Sequence, residues 1–334
     1  MVEQDDHLPV MAGPAVPAVA DVTTVPPCRP DGRIAASLAV AATPGGSAAP
    51  SRSRERIIAR RGHETVSLEE APHIELSLII PARNEEYRLR GCIETYWEAF
   101  ETRYGAGFEI IIVTNGCTDN TVAIATEVAR DRPNLRVHDV PQAAGKGAAV
   151  LEGFRQARGD YLLFADADAS TSAASLLELA AALDRHNIAI GSRRLPGSLV
   201  LQPQSSLRRF CGTLFLVVVR LLFGLPYRDT QCGAKALRRG PALELAAHVR
   251  ELRWAFDVDL LLTARALGLS IVEHPVTWAN DGSSGLRIVP TALEVARSLR
   301  RIRLAHAGSG VLQGEYRSPS SAVHTTLLND MEQR

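Results

Sequence analysis

Apolar and polar positions follow two rhythms between residues 75 and 191. Short apolar runs at 75–81 (ELSLIIP), 108–113 (FEIIIV) and 160–165 (DYLLFA), and a further strand-like segment at 135–140, are separated by longer segments of mixed polarity at 84–100, 119–130, 146–157 and 172–185. The short runs predict strands buried on both faces, and the segments between them predict helices. A further short strand is expected at 187–191. Strand and helix alternating at these spacings predict right-handed βαβ units in a parallel sheet.

The pattern loosens after residue 191. Residues 205–223 predict a helix that is apolar in its middle, with Arg208 and Arg209 near its start. A strand is expected at 232–237, a helix at 254–267, a strand at 270–276 and a basic helix at 290–304. The Ala/Pro/Gly/Ser-rich leader and the basic run at 52–61 are expected to be disordered, as is the tail from 307. The basic run is a solvated linker or a weak contact for anionic headgroups. The expected organisation is therefore a leader at 1–71, one α/β domain at 72–306 and a tail at 307–334.

Charge and cysteine content narrow the class. Lys+Arg and Asp+Glu both total 37, so no net field argues for nucleic acid. The cysteines at 28, 92, 117, 211 and 232 lie far apart and form no CxxC pair. That suits free thiols in a reducing compartment better than disulfides or structural zinc. Glu3, Asp5 and Asp6 stand where a secretory signal would be basic. The longest apolar stretch, 211–225, is interrupted by Arg220 and falls short of the roughly 18 residues a span needs. A cytoplasmic protein is expected, peripheral on the membrane if it meets one.

The chemistry-bearing residues cluster where strands end. Asp166 and Asp168 follow the strand at 160–165, at the edge where open α/β sheets bind ligands. Two such carboxylates can hold a divalent cation against phosphates. In isolation they read as a strand end, with Ser170 or Thr171 capping the next helix. Glu85, after the first strand, could accept hydrogen bonds from a ribose or base, or serve as a helix N-terminal acid. Asn115-Gly116 reads as a turn and Asp119 as its cap. Gly145-Lys146-Gly147 combines close backbone approach, a point charge and a helix start, without the spacing of either standard phosphate loop.

Together these fragments are specific. PARNE (81–85), TNGCTDNT (114–121), GKGAA (145–149), DADAST (166–171) and GSR (191–193) occur in the order that resembles inverting family-2 glycosyltransferases of the GT-A fold. DTQCGAK (229–235), RWAFDVDLL (253–261) and EHPVTW (273–278) resemble the dolichyl-phosphate β-glucosyltransferase branch of that family. The likeness covers roughly residues 74–306. It implies a mostly parallel central sheet flanked by helices.

The resemblance also implies roles. Glu85 and Asp119, with the backbone near Pro81, would hold the nucleoside of a UDP- or GDP-hexose, with Asn115 where relatives carry an acid. Lys146 would lie beside the nucleotide, and Asp166 and Asp168 would bind Mg²⁺ or Mn²⁺. Arg193, Asp229 and Gln231 would line the sugar and acceptor side, with Asp257 or Asp259 facing the reacting centre. Trp278, the 281–285 loop and Arg287 would form a lid. The implied reaction moves a hexose, by resemblance glucose, to a polyprenyl phosphate. A soluble transferase with a small hydroxylated or phosphorylated acceptor, such as a natural product, is the alternative. The pattern departs from relatives at TNGC for DDGS, at GSSG for GSK, and at Asp259 for glutamate. A nucleotidyltransferase would instead carry a Gly-rich loop with arginine after the first strand, where this chain has PARNEE.

Overall fold

The apolar runs form strands and the mixed segments form helices. The computed structural model describes residues 72–202, 205–280 and 288–307. The leader, the tail from 308, and the expected lid loop with Arg287 lie outside the described residues. In chain order the first half contains β1 (Leu76–Ala82), α1 (Leu89–Tyr104), β2 (Phe108–Asn115), α2 (Thr121–Ala129), β3 (Leu135–Val140), α3 (Lys146–Gln156), β4 (Tyr161–Phe164) and α4 (Ala173–Ala182). The second half adds β5 (Ile188–Ser192), β6 (Leu199–Gln202), α5 (Ser206–Phe223), β7 (Lys235–Arg238) and α6 (Arg239–His248). It ends with α7 (Phe256–Ala266), β8 (Ile271–Pro275), β9 (Thr277–Ala279) and α8 (Ile288–His306).

Seven strands form one sheet in the order β3-β2-β1-β4-β7-β5-β8. The chain winds outward from β1 through β2 to β3, then returns to place β4 on the other side of β1. The carboxyl ends of β1 and β4 therefore diverge at a topological switch point, where such sheets bind ligands. One face packs against α3 and α7 through Phe154, Phe164 and Phe256. The other packs against α1 and α4 through Tyr96, Phe100, Leu176 and Leu179. β2 is buried along its whole length, as its unbroken apolar run predicts.

The polar exception in β2 is resolved locally. Burial raises the pKa of Glu109, but bonds from Ser77, Arg158 and Arg136 outweigh it and leave the group below its ordinary value. Ser77 Oγ donates to it at 2.7 Å, and the Arg158 backbone N–H at 2.7 Å.

Four features depart from the expected pattern. β7 runs antiparallel to both β4 and β5, because the chain enters it from the site end of the sheet: Lys235, its first residue, pairs with Phe164 and Ile190. α1 starts at Leu89, because Asn84 adopts a left-handed backbone (φ 57°) and a turn precedes the helix. α6 is an additional helix. β6 and β9 pair in a separate parallel ribbon. β6 is exposed throughout, so it has no buried face to create an alternation.

Candidate active site

The loops at the switch point are held together largely by hydrogen bonds to backbone, amide and hydroxyl groups. Asn84 accepts from the Thr118 N–H at 2.8 Å and donates to the Thr118 hydroxyl at 3.2 Å. Asp119 accepts from the Thr121 N–H at 3.0 Å and from the Glu86 N–H at 3.3 Å. Burial works against its charge, but the Thr121 bonds outweigh it and hold Asp119 below the usual carboxylate range. Asp119 Oδ2 thus ties the loop after β1 to the loop after β2, while Oδ1 bonds Thr121 within its own loop. Glu85 pairs with Arg88. Burial, supported by the charges of Asp168 and Asp166, still raises its pKa despite that arginine.

Asn115 explains one departure from the family pattern. Its amide donates to the Gly145 carbonyl at 2.8 Å, and its carbonyl accepts from the Ala144 N–H at 2.8 Å. An ionised acid at this position would have no proton to give the Gly145 carbonyl. Gly145 itself has φ 105°, and an added Cβ would lie 2.3 Å from the Leu252 carbonyl oxygen. The start of α3 is therefore docked on the loop before α7.

Lys146, the first residue of α3, places its ammonium 2.5 Å from Asp166 Oδ1. Burial opposes both charges, yet their attraction prevails. Lys146 is held above the ordinary lysine value, with Asp166 the main attractive partner and Asp257 next. Asp166 is held below the ordinary carboxylate value by Lys146, with Lys235 and Arg193 adding to the effect. Asp168 accepts from the Ser170 N–H at 3.0 Å, and Ala169 between them adopts a left-handed backbone (φ 51°). That conformation costs a non-glycine residue on the order of 1 kcal/mol. A Cβ on Gly233 would fall 1.9 Å from Asp166 Oδ2, so glycine lets the loop into β7 lie directly on this carboxylate.

Buried ion pairs build the opposite side. Arg193 grips Asp229 through Nε at 2.7 Å and Nη2 at 3.0 Å, with its guanidinium 5.3 Å from the centre of the Trp278 ring. Burial would raise the Asp229 pKa, but Arg193 holds it below its ordinary value. Lys235 is fully buried. It donates to the Cys232 carbonyl at 2.7 Å and to Asp257 Oδ1 at 2.5 Å. Among the described residues, the buried Gln231 Nε2 and Thr230 hydroxyl have no hydrogen-bond partner.

The two acids of α7 diverge. Residues two apart on a helix point about 200° away from each other. Asp257 joins Lys235 on the side of Asp166 and Lys146. Asp259 is buried elsewhere: it accepts from the Arg250 and Glu251 N–H groups at 2.8 and 2.7 Å and lies 2.7 Å from His306 Nε2 on α8. Burial opposes its ionisation, but His306 and the two backbone donors hold its pKa down. Of the two candidates for the reacting centre, only Asp257 thus shares a charge cluster with the Asp166 end of the site. Sequence reasoning gave Lys235 no role, although it closes the DTQCGAK segment. His306 carried no signal, being 47 positions from Asp259.

Asp166 and Asp168 fit the donor set of a hard divalent cation. Among the described residues no group of three or more His, Cys, Asp or Glu side chains could hold a metal. The protein would supply two carboxylates, leaving the remaining positions to phosphate and water, the mode typical of Mg²⁺.

Comparison with known proteins bears on the family and the fold. Residues 77–230 match the model for Glycosyl transferase family 2. A dolichyl-phosphate beta-glucosyltransferase from Drosophila melanogaster is 36% identical, covering 70% of this chain and 76% of the relative. One of the same name from Saccharomyces cerevisiae is 30% identical, covering 70% and 75%. Glucosyl-3-phosphoglycerate synthase from Mycobacterium tuberculosis, solved with Mn²⁺, UDP and glucosyl-3-phosphoglycerate, superposes with a TM-score of 0.50. That structure is 17% identical, over 71% of this chain and 80% of that one, so it speaks for the fold. Identity of this extent, on a sheet wound in this order, makes the chain a glycosyltransferase belonging to family 2, with the GT-A fold.

Proposed function

We propose that the enzyme is an inverting, metal-dependent hexosyltransferase that moves a sugar from a UDP- or GDP-hexose to a polyprenyl phosphate. Glucose is the sugar favoured by the names of the relatives. The single observation that carries this reading is the pairing of every acid expected on the acceptor side. Asp229 is gripped by Arg193, Asp257 by Lys235, and Asp259 by two backbone donors and His306. An alcohol acceptor needs a general base to take its proton. A phosphate monoester, with a second pKa near 6, reaches the site already anionic. It requires positioning and cationic guidance, for which Arg194 stands beside the Arg193–Asp229 pair. The same pairing disfavours a covalent glycosyl-enzyme, since a carboxylate nucleophile must be unencumbered. This reading takes a single displacement from the face opposite the leaving group, which inverts the anomeric centre.

On the donor side, the Pro81 backbone, Glu85 and the loops of Asn115 and Asp119 form the floor for the nucleoside, with Lys146 beside its phosphates. Asp166 and Asp168 would hold Mg²⁺ or Mn²⁺. Bound there, the cation neutralises charge developing on the departing nucleoside diphosphate. Gln231 Nε2 is left to donate to sugar or acceptor. One domain at 72–306, acting in the cytoplasm at a membrane surface, completes the proposal.

The test offers the purified enzyme UDP- and GDP-glucose with Mn²⁺ and either a short polyprenyl phosphate or the matching polyprenol. Transfer to the phosphate alone is expected. Equal transfer to the alcohol would overturn the acceptor assignment. Transfer only to small water-soluble acceptors would establish the alternative.

A further inference from the structure

Helix α5 is amphipathic, but it is only partly used by the fold. Val219 and Phe223 are buried, and Phe215, Val218 and Leu222 pack beside them against the core. A second apolar row faces outward. Leu207, Phe210, Leu214, Val217 and Leu221 recur at intervals of three and four, and each is between 47% and 80% exposed. β6, which ends shortly before the helix, adds exposed Leu199 and Leu201. An exposed apolar row of this kind marks an interaction site.

Charge selects the occupant. Arg209 and Arg220 are exposed on α5, and neither α5 nor β6 contains an acidic residue. Packing α5 against its own copy would bring arginines together with no acid on either helix to offset them. Neighbouring α8 adds exposed Arg297, Arg300 and Arg303. An apolar row flanked by arginines is the arrangement of a helix lying in the headgroup layer of an anionic bilayer. The row also adjoins the acceptor side of the site. Arg194, which follows the Asp229-bound Arg193, donates to Thr213 in the middle of α5 at 3.2 Å.

We propose that the exposed face of α5, extended by β6, docks the enzyme in the plane of an anionic membrane surface, with the acceptor side of the site toward the lipid. The proposal rests on the lipid-phosphate reading for its biological sense but not for its test. Among the described residues no helix is long and apolar enough to cross a membrane, so this contact is an interfacial one.

The test is co-sedimentation of the full chain with two kinds of vesicle: phosphatidylcholine alone, and phosphatidylcholine mixed with phosphatidylglycerol. Binding to the mixed vesicles that weakens with salt is expected. Arg209→Gln should lower it about fivefold, the effect of one arginine near such a surface. Leu214→Asp and Leu221→Asp should each reduce it severalfold more, while transfer to a short polyprenyl phosphate in vesicle-free buffer stays unchanged. Absence of vesicle binding by the full chain overturns the proposal, whether a second copy or the leader covers the row. A dimer dissolved by Leu214→Asp, seen by light scattering without vesicle binding, also overturns it and assigns the face to self-association. Vesicle binding without transfer to polyprenyl phosphate would refute the acceptor assignment alone. Transfer without binding would refute the docking face alone.

Discussion

The two sides of the switch point are held together by different physics. On the donor side, Asn84, Asn115 and Asp119 lock neighbouring loops through hydrogen bonds that are mostly to backbone or hydroxyl groups. On the acceptor side, Arg193–Asp229, Lys235–Asp257 and His306–Asp259 lock segments distant in the chain through buried charges. A neutral hydrogen bond contributes about 0.5–1.5 kcal/mol, so losing one on the donor side is tolerated. A buried ion pair adds little over an apolar pair, yet removing one partner strands the other at a cost of about 3–5 kcal/mol. The acceptor side is therefore ordered but brittle. The donor side is redundant.

The sharpest test of that contrast is Lys235→Met. Stranding Asp257 should lower unfolding free energy by about 3–5 kcal/mol in urea melts, and adding Asp257→Leu should restore most of it. A Lys235→Met variant as stable as the parent would break the comparison. Asp168→Ala should behave in the opposite way. Its carboxylate is partly exposed, so melting should barely change while donor turnover falls on the order of 100- to 1,000-fold. A variant that retained full activity would remove Asp168 from the metal site.

Asp259→Asn is expected to cost about 1–3 kcal/mol of stability while keeping the pH dependence of turnover. A general base at this position would instead abolish turnover and its pH profile. The Asp259 pKa is depressed on folding, so its contribution is complete above the ordinary value and is lost as pH falls through the folded value. The parent should therefore lose stability below about pH 4 more steeply than Asp259→Asn. Asn115→Asp is the mildest change. It loses one donor to the Gly145 carbonyl, and should weaken stability by about 1 kcal/mol while raising KM for the donor more than it changes kcat.

The same division explains what could be read from the chain. β1, β2 and β4 are nearly continuous apolar runs, and β3 alternates apolar with polar residues, so pattern alone located them within a residue or two. Asp166 and Asp168 were legible because their strand ends abruptly beside them. The antiparallel direction of β7 was not, since periodicity carries no sign and a buried lysine interrupts the apolar pattern. β6 has no buried face to read. Asp257 and Asp259 are equivalent by composition, and only the helical angle between them separates one that meets Lys235 from one that meets His306. Ion pairs closed across tens of residues leave no local trace.

The Leu252 carbonyl seated against Gly145 has a consequence beyond packing. Glu251, its neighbour, accepts from Ser298 and Arg301 of α8, and the same loop donates to Asp259, which His306 also holds. The turn that presents Lys146 thus shares one mechanical support with the far end of the chain. By thermodynamic reciprocity, a ligand that steadies the turn must also make the opening of α8 less favourable, and loosening α8 must weaken that ligand's grip. Donor occupancy is thereby written into the amide exchange of a helix whose described side chains reach Glu251, Arg253 and Asp259.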